Sequence, residues 1–183
     1  WPKKTKDLKN FYPTQSLFTA RDIINLWVAR MIFSGLELLK KKPFSDVYIH
    51  ATILTKEGQR MSKSLGTGVN PLDLVEKYGA DGVRFGLIYQ ALGGQDIRFL
   101  EENLAMGQRF CNKIWNASRF VLGYLNINSK LKTQNSKLQI KIQKEKLTKA
   151  DRKILRQLAL TTKKVTRDLE NFRFGQAAHT LYH

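Results

Sequence analysis

Residues 60–64 read Arg-Met-Ser-Lys-Ser, which puts two cations and two hydroxyls within five positions. Side chains of these types suit phosphate. The cations neutralise its charge and the hydroxyls supply hydrogen bonds. A cation that meets a leaving pyrophosphate more strongly in the transition state than in the ground state speeds displacement at phosphorus. A solvated surface loop has the same composition, so the pentapeptide alone leaves both readings open. Three other side chains, Asp22, Trp27 and His50, have plain structural readings from the sequence. Asp22 precedes an apolar-periodic segment and could simply cap a helix. Trp27 lies within that segment and could be an ordinary core aromatic. His50 ends a β-prone run and could be a satisfied core histidine.

The elements around these residues follow from spacing. After a basic, irregular opening, Ile24, Trp27, Val28, Met31, Ile32, Gly35, Leu36 and Leu39 recur at helical intervals, predicting a well-buried amphipathic helix from about Asp22 to Lys42. Val47 to Leu54 is β-prone and suits a parallel sheet. Gly58, Gly66 and Gly68 bracket the Arg60–Ser64 pentapeptide, predicting a mobile loop able to close on a phosphate ligand and release product. Asn70-Pro71 reads as N-cap and first helical position, Gly79 as a stop, and Asp81 as the cap of the next helix, which Gly93-Gly94 breaks. Leu100 to Tyr124 predicts a longer helix with a broad apolar face. Thr148 with Asp151 resembles a capping box opening a helix through Leu169, and Phe172 and Phe174 flank a turn into a last helix. Residues 129–149, rich in Lys and lacking aromatics, read as a basic linker or a frayed insertion.

The chain has 183 residues, 42% of them apolar, which excludes a disordered basic tail. Its length allows one domain or parts of two. Trp1-Pro2 is an unusual start for a mature chain, and an upstream portion is expected. A single cysteine, Cys111, excludes an internal disulfide, no Cys/His cluster has metal-ligand spacing, and a reducing, cytoplasmic setting fits. No apolar run approaches the ~20 residues of a membrane span. The net charge of +17 is uneven, with +6 in residues 1–100 and +11 in residues 101–183. That balance favours a polyanion without choosing among tRNA, rRNA, DNA and acidic lipid, and it is equally compatible with a solvated basic surface.

Gln59-Arg60-Met61-Ser62-Lys63-Ser64 resembles the KMSKS signature of class I aminoacyl-tRNA synthetases. Asn70-Pro71-Leu72-Asp73-Leu74, Glu76-Lys77-Tyr78-Gly79-Ala80-Asp81 and Val83-Arg84-Phe85 are similar to the segment that follows it in that class. Within the class, four stretches resemble the valine-specific branch: Phe11 to Thr14, Asp22 to Ile24 with Trp27 to Ile32, Phe44 to His50, and Asn112 to Ala117. The likeness runs collinearly over essentially the whole chain and is weakest across residues 126–147.

The resemblance implies an α/β plus all-α chain. Residues 1–99 would be the C-terminal part of a Rossmann-type catalytic domain, and residues 100–183 the start of an α-helical anticodon-binding bundle. It implies a valine–tRNA ligase with ATP (normally with Mg2+), valine and tRNA(Val) as partners, no protein-bound metal, no membrane, and a monomeric full enzyme. Lys63 and Arg60 would act catalytically on the ATP phosphates and departing pyrophosphate. Met61, Ser62, Ser64, His50 and Asp22 would complete the ATP site, and Trp27 would wall the amino-acid pocket. Arg109, Lys113 and Arg119 would face tRNA. The class's other phosphate signature, HIGH, is not among these residues, so the 183-residue chain alone is expected to be inactive in valine-dependent pyrophosphate exchange. Ala20, Ala51, Leu65 and Thr67 stand where the family usually has Gly, Gly, Lys and Asn. The two alanines raise an alternative, a synthetase-derived RNA-binding module whose catalysis has decayed.

Overall fold

The computed structural model describes residues 3–62, 64–93, 95–129 and 147–183, with side chains omitted for 124–129. Lys63, Gly94 and most of the lysine-rich stretch, 130–146, lie outside the described residues.

The chain forms two compact units. The first comprises residues 1–68 and 93–99, and the second residues 69–92 and 100–183. These units divide the chain by packing, whereas the division read at residue 100 separates it by expected function.

In the first unit, helix α1 (Lys6–Phe11) is capped by Thr5, whose hydroxyl accepts the Leu8 amide at 3.1 Å. Strand β1 (Thr14–Ala20) follows. These two elements replace the irregular opening expected from sequence. Only Leu17, Phe18 and Ala20 are apolar in β1, too few for a convincing alternation in a strand that, among the described residues, is paired along one edge. The chain then winds through a 3-10 turn (Arg21–Ile23) and a π turn (Ile24–Val28) into helix α2 (Ala29–Leu39). Strand β2 (Phe44–His50) returns parallel to β1, Thr14 facing Phe44 and Ala20 facing His50. Parallel neighbours require such a crossover, and the winding segment is its helix.

The expectation that this helix is well buried needs correction. Val28 and Gly35 are buried, whereas Leu26, Trp27, Ile32, Phe33, Leu36 and Leu38 are exposed. The packed stripe runs Ile24, Val28, Met31, Gly35, Leu39, at intervals of three and four. Apolar residues on the opposite side add helical periodicity without adding burial.

Two short strands complete this unit. Strand β3 (Ile53–Leu54) pairs parallel to β4 (Ile97–Arg98), which the chain supplies after passing through the second unit. The Ile97 amide donates to Thr52 O at 2.8 Å and the Phe99 amide to Leu54 O at 2.9 Å.

In the second unit, helix α3 (Pro71–Tyr78) starts where Asn70 accepts the Leu72 amide and ends at Gly79, whose φ of +74° suits glycine. Gly79 also begins helix α4 (Ala80–Gln90), so Asp81 sits inside the first turn and does not cap it. Helix α5 (Glu101–Ser129) packs its first half on α4. Leu104 and Phe110 are buried there, while Ile114, Trp115, Phe120 and Val121 are exposed further along. Glu101 Oε1 accepts hydrogen bonds from Lys77 Nζ and Tyr78 Oη, both at 2.7 Å, tying α3 to α5. Helix α6 (Lys149–Glu170) opens with the expected Thr148–Asp151 capping box, and helix α7 (Phe174–Tyr182) packs on α6 and α4. Among the described residues no helix is long and apolar enough to cross a membrane.

Candidate functional site

The described phosphate-handling candidates and Trp27 all lie in the first unit, and Asp22, His50 and Arg60 are placed at the carboxyl end of its β1–β2 pair. In open parallel sheets, the carboxyl ends of the strands are where ligands bind, because the chain leaves each strand there in loops free to carry polar groups. Ala20 and His50 form the last register pair of β1 and β2, so both strands finish together. His50 is exposed and its Nδ1 lies 3.0 Å from Ala51 O, which sets aside the satisfied core histidine. Asp22 follows β1 by two residues within the 3-10 turn, where no side-chain cap is made.

Arg60 reaches this end from the turn after β3. The chain leaves β3, turns through Thr55–Gln59, and returns so that Arg60 bridges back to Leu54 in antiparallel fashion. The Gln59 carbonyl accepts the Thr55 amide at 2.8 Å, and the Thr55 carbonyl accepts the Gly58 amide at 3.0 Å. Within this turn, hydrogen bonds from its own amide and from Thr55 hold the Glu57 carboxyl below the ordinary carboxylate range. The Arg60 guanidinium then meets Asp22, Nη2 to Oδ2, at 2.6 Å. A charge-assisted bond of this length fixes the loop's leading cation beside the β1 terminus. Sequence spacing gave no sign of it, since the partners stand 38 residues apart.

The rest of the loop is internally bonded. Ser62 Oγ and Ser64 Oγ are 2.8 Å apart, and the Ser62 amide donates to Thr67 Oγ1 at 3.0 Å. Met61 and Ser62 are half-buried, while Ser64 and Leu65 are exposed. The role expected of Lys63 falls outside the described residues.

Trp27 lies in the π turn and is 47% exposed, so it is not the core aromatic that its periodicity allowed. A π turn widens the helix by one residue and changes which side chains face outward, a feature common at functional sites. Ala20 has φ −88° and ψ 155°, an extended conformation open to any residue, so its methyl adds no backbone strain.

Sequence reasoning missed Asp96. Its Oδ1 accepts the Thr52 amide at 3.2 Å and lies 3.5 Å from Arg21 Nη2, linking the end of β1 to the start of β3. The only signal was an acid two residues past a Gly pair, which reads as ordinary loop chemistry.

Of the three side chains expected to face tRNA, Arg109 and Lys113 stand four residues apart on one side of α5. Arg119 lies well round the helix from both at about 100° per residue. They form no single stripe. The Lys113 ammonium sits 5.3 Å from the Phe110 ring and 5.9 Å from the Tyr182 ring, so it takes part in the packing of α5 on α7. Burial pushes the Cys111 thiol up, with a smaller push from Asp81, which disfavours a nucleophilic role. Among the described residues no three His, Cys, Asp or Glu side chains gather to hold a metal ion.

Comparison with known proteins agrees with this architecture. The family model described as tRNA synthetases class I (I, L, M and V) matches residues 1–100. The chain is 47% identical to the valine–tRNA ligase of Clostridium tetani over 182 residues, covering all of this chain and 20% of that protein. It thus spans about a fifth of the length of the curated relatives it matches. Among solved structures, the LeuRS of Agrobacterium radiobacter K84, in a ternary complex with tRNA and LeuAMS, superposes with a TM-score of 0.76 at 24% identity, over 92% of this chain and 21% of that one. The methionyl-tRNA synthetase of Mycobacterium tuberculosis bound by methionyl-adenylate gives 0.70 at 19% identity, over 97% and 33%. These likenesses establish a class I synthetase catalytic-domain fold.

Proposed function

The chain belongs to the class I tRNA synthetases (I, L, M and V), and from that premise we propose that it is the late part of the catalytic domain and the first helices of the anticodon-binding bundle of a valine–tRNA ligase. In the first reaction a valine carboxylate oxygen attacks the α-phosphorus of ATP. The bond to the bridging oxygen breaks, and pyrophosphate leaves with the electron pair. In the second, a ribose hydroxyl of the terminal tRNA(Val) adenosine attacks the aminoacyl carbonyl, and AMP leaves. Magnesium accompanies the ATP phosphates.

The Arg60–Asp22 contact carries this reading, because it sets a phosphate-binding cation at the carboxyl end of parallel strands. A guanidinium has five donors and Asp22 engages one nitrogen, so Arg60 keeps donors for phosphate oxygens. Arg60 and Lys63 stabilise charge that grows on the departing pyrophosphate, the stage at which a positioned cation lowers the barrier. Met61, Ser62 and Ser64 line the phosphates, Asp22 and His50 face the nucleoside, and the exposed indole of Trp27 presents an apolar wall to the valine side chain. The helices from α5 onward, with Arg109 and Arg119, meet the tRNA backbone. Ala20 brings no backbone strain, so the decayed-module alternative rests on crowding of the nucleotide by the methyls of Ala20 and Ala51 and on the basic C-terminal half.

The test is a full-length chimera in which these residues replace the matching stretch of the Clostridium tetani relative. Valine-dependent exchange of pyrophosphate into ATP and charging of tRNA(Val) are expected. A folded chimera that binds tRNA but supports neither would overturn the catalytic reading in favour of a binding module.

A further inference from the structure

We propose that Thr67 is a positioning residue of the cationic loop, holding the Ser62 main chain so that the neck of the loop keeps its shape as the loop closes on ATP. The inference rests on the reading of this loop as the one that handles the ATP phosphates.

Thr67 engages both polar backbone groups of Ser62. Its Oγ1 accepts the Ser62 amide at 3.0 Å and donates to the Ser62 carbonyl at 3.4 Å. Its own amide donates to that carbonyl at 3.1 Å. A hydroxyl has one donor and two acceptor pairs, so one side chain can make both of its bonds at once. Residues 62–67 are thereby closed into a ring at the neck. The neck is half-buried at Ser62 and Thr67, while the tip carries Leu65, 76% exposed, and Gly66, whose φ of +66° turns the chain with no atom within 4 Å of where a Cβ would stand. The Ser62–Ser64 hydroxyl contact lies inside this ring.

A loop that must be ordered in the transition state loses rate if it is disordered beforehand, because ordering its dihedrals then adds to the barrier. Closing the neck through a side chain removes much of that ordering from the catalytic step. Thr67 touches neither substrate nor the reacting phosphate in this account. It acts through Ser62.

Three variants in the full-length chimera separate this from a general role in stability. Thr67→Val keeps the shape and the backbone bond but removes both side-chain bonds, and kcat/KM for ATP in valine-dependent exchange is expected to fall roughly 5- to 30-fold, with KM for valine unmoved. Thr67→Ser, which keeps the hydroxyl, is expected to stay near the parent. Thr67→Asn, whose Oδ1 can accept the Ser62 amide, should fall between them. An unchanged kcat/KM for ATP in Thr67→Val overturns the proposal, as does a loss in Thr67→Ser equal to that in Thr67→Val. A second measurement does not depend on activity. Deuterium uptake by the peptide containing Ser62 should be faster in Thr67→Val than in the parent, and equal uptake also overturns the proposal. A folded parent chimera without exchange would sink the functional reading, and the uptake comparison would still decide whether Thr67 holds the loop.

Discussion

Arg60 and Asp22 meet at 2.6 Å, Nη2 to Oδ2, joining the leading cation of the loop to the turn that follows β1. Their side chains are 73% and 53% exposed, so the pair contributes only about 0–1 kcal/mol to stability. Its consequence is positional. Arg60→Ala is expected to lower pyrophosphate exchange by roughly 10²- to 10³-fold with little change in Tm. Arg60→Lys should retain part of the rate, since it keeps the charge and loses the fork. Asp22→Asn should leave Tm nearly unchanged while weakening ATP use, because the cation loses its anchor. Exchange kinetics and thermal melts of the same samples check all three, and an Arg60→Ala enzyme at parental rate would refute the assignment.

The helix pair α4 and α5 makes a second prediction. A Cβ on Gly107 would stand 2.5 Å from the Gly82 carbonyl oxygen, and one on Gly86 would stand 2.6 Å from the Asn103 carbonyl oxygen. Backbone atoms cannot swing aside, so the helices would have to separate. Gly107→Ala is expected to cost about 1–3 kcal/mol. Gly123, later in α5, has nothing within 4 Å, and there the same change should stabilise by about 0.5–1 kcal/mol through backbone entropy. Urea unfolding of both variants measures the contrast. Equal effects at the two positions would mean that close packing does not govern this crossing.

What could be read from the sequence was local. Asn70, Pro71 and Gly79 mark the ends of α3 because capping and positive φ are decided within a few residues, and Thr148 with Asp151 opens α6 for the same reason. What could not be read depends on distant partners. Strand β4 has two residues, and its existence rests on β3, more than 40 positions earlier in the chain. The strand character of Thr14–Ala20 comes from pairing with β2. Within the site, the residue types of the loop pointed to phosphate, but the closure by Thr67 and the anchors at Asp22 and Asp96 appear only once the chain is folded. Periodicity also overstated burial in α2, since it counts the apolar residues on both sides of a helix alike.

The α6 cap makes acid sensitivity specific. Thr148 donates to Asp151 Oδ2 from its hydroxyl at 2.7 Å and its amide at 2.9 Å, and these bonds hold the Asp151 carboxyl below the ordinary carboxylate range. A carboxyl whose value is lowered on folding adds stability above the unfolded value near ~3.9, and that contribution disappears as pH falls through the lowered value. Asp151→Asn should therefore be less stable than the parent at about pH 6, with the gap closing on acidification. Helix content followed by circular dichroism through urea unfolding at several pH values measures it. A gap that is constant with pH would assign the effect to packing.

Trp27 offers the sharpest division between a binding role and a packing role. A buried tryptophan cut to alanine costs about 3–5 kcal/mol. The Trp27 side chain is nearly half exposed within the π turn, so Trp27→Ala should cost clearly less. As a wall of the amino-acid pocket it would contribute to holding the valine side chain, and its loss should raise KM for valine by roughly 10-fold or more. KM for ATP should change little, because the phosphates are handled by the loop at Arg60. A large fall in Tm with KM for valine unmoved would make Trp27 a packing residue and leave the valine side chain without its indole wall.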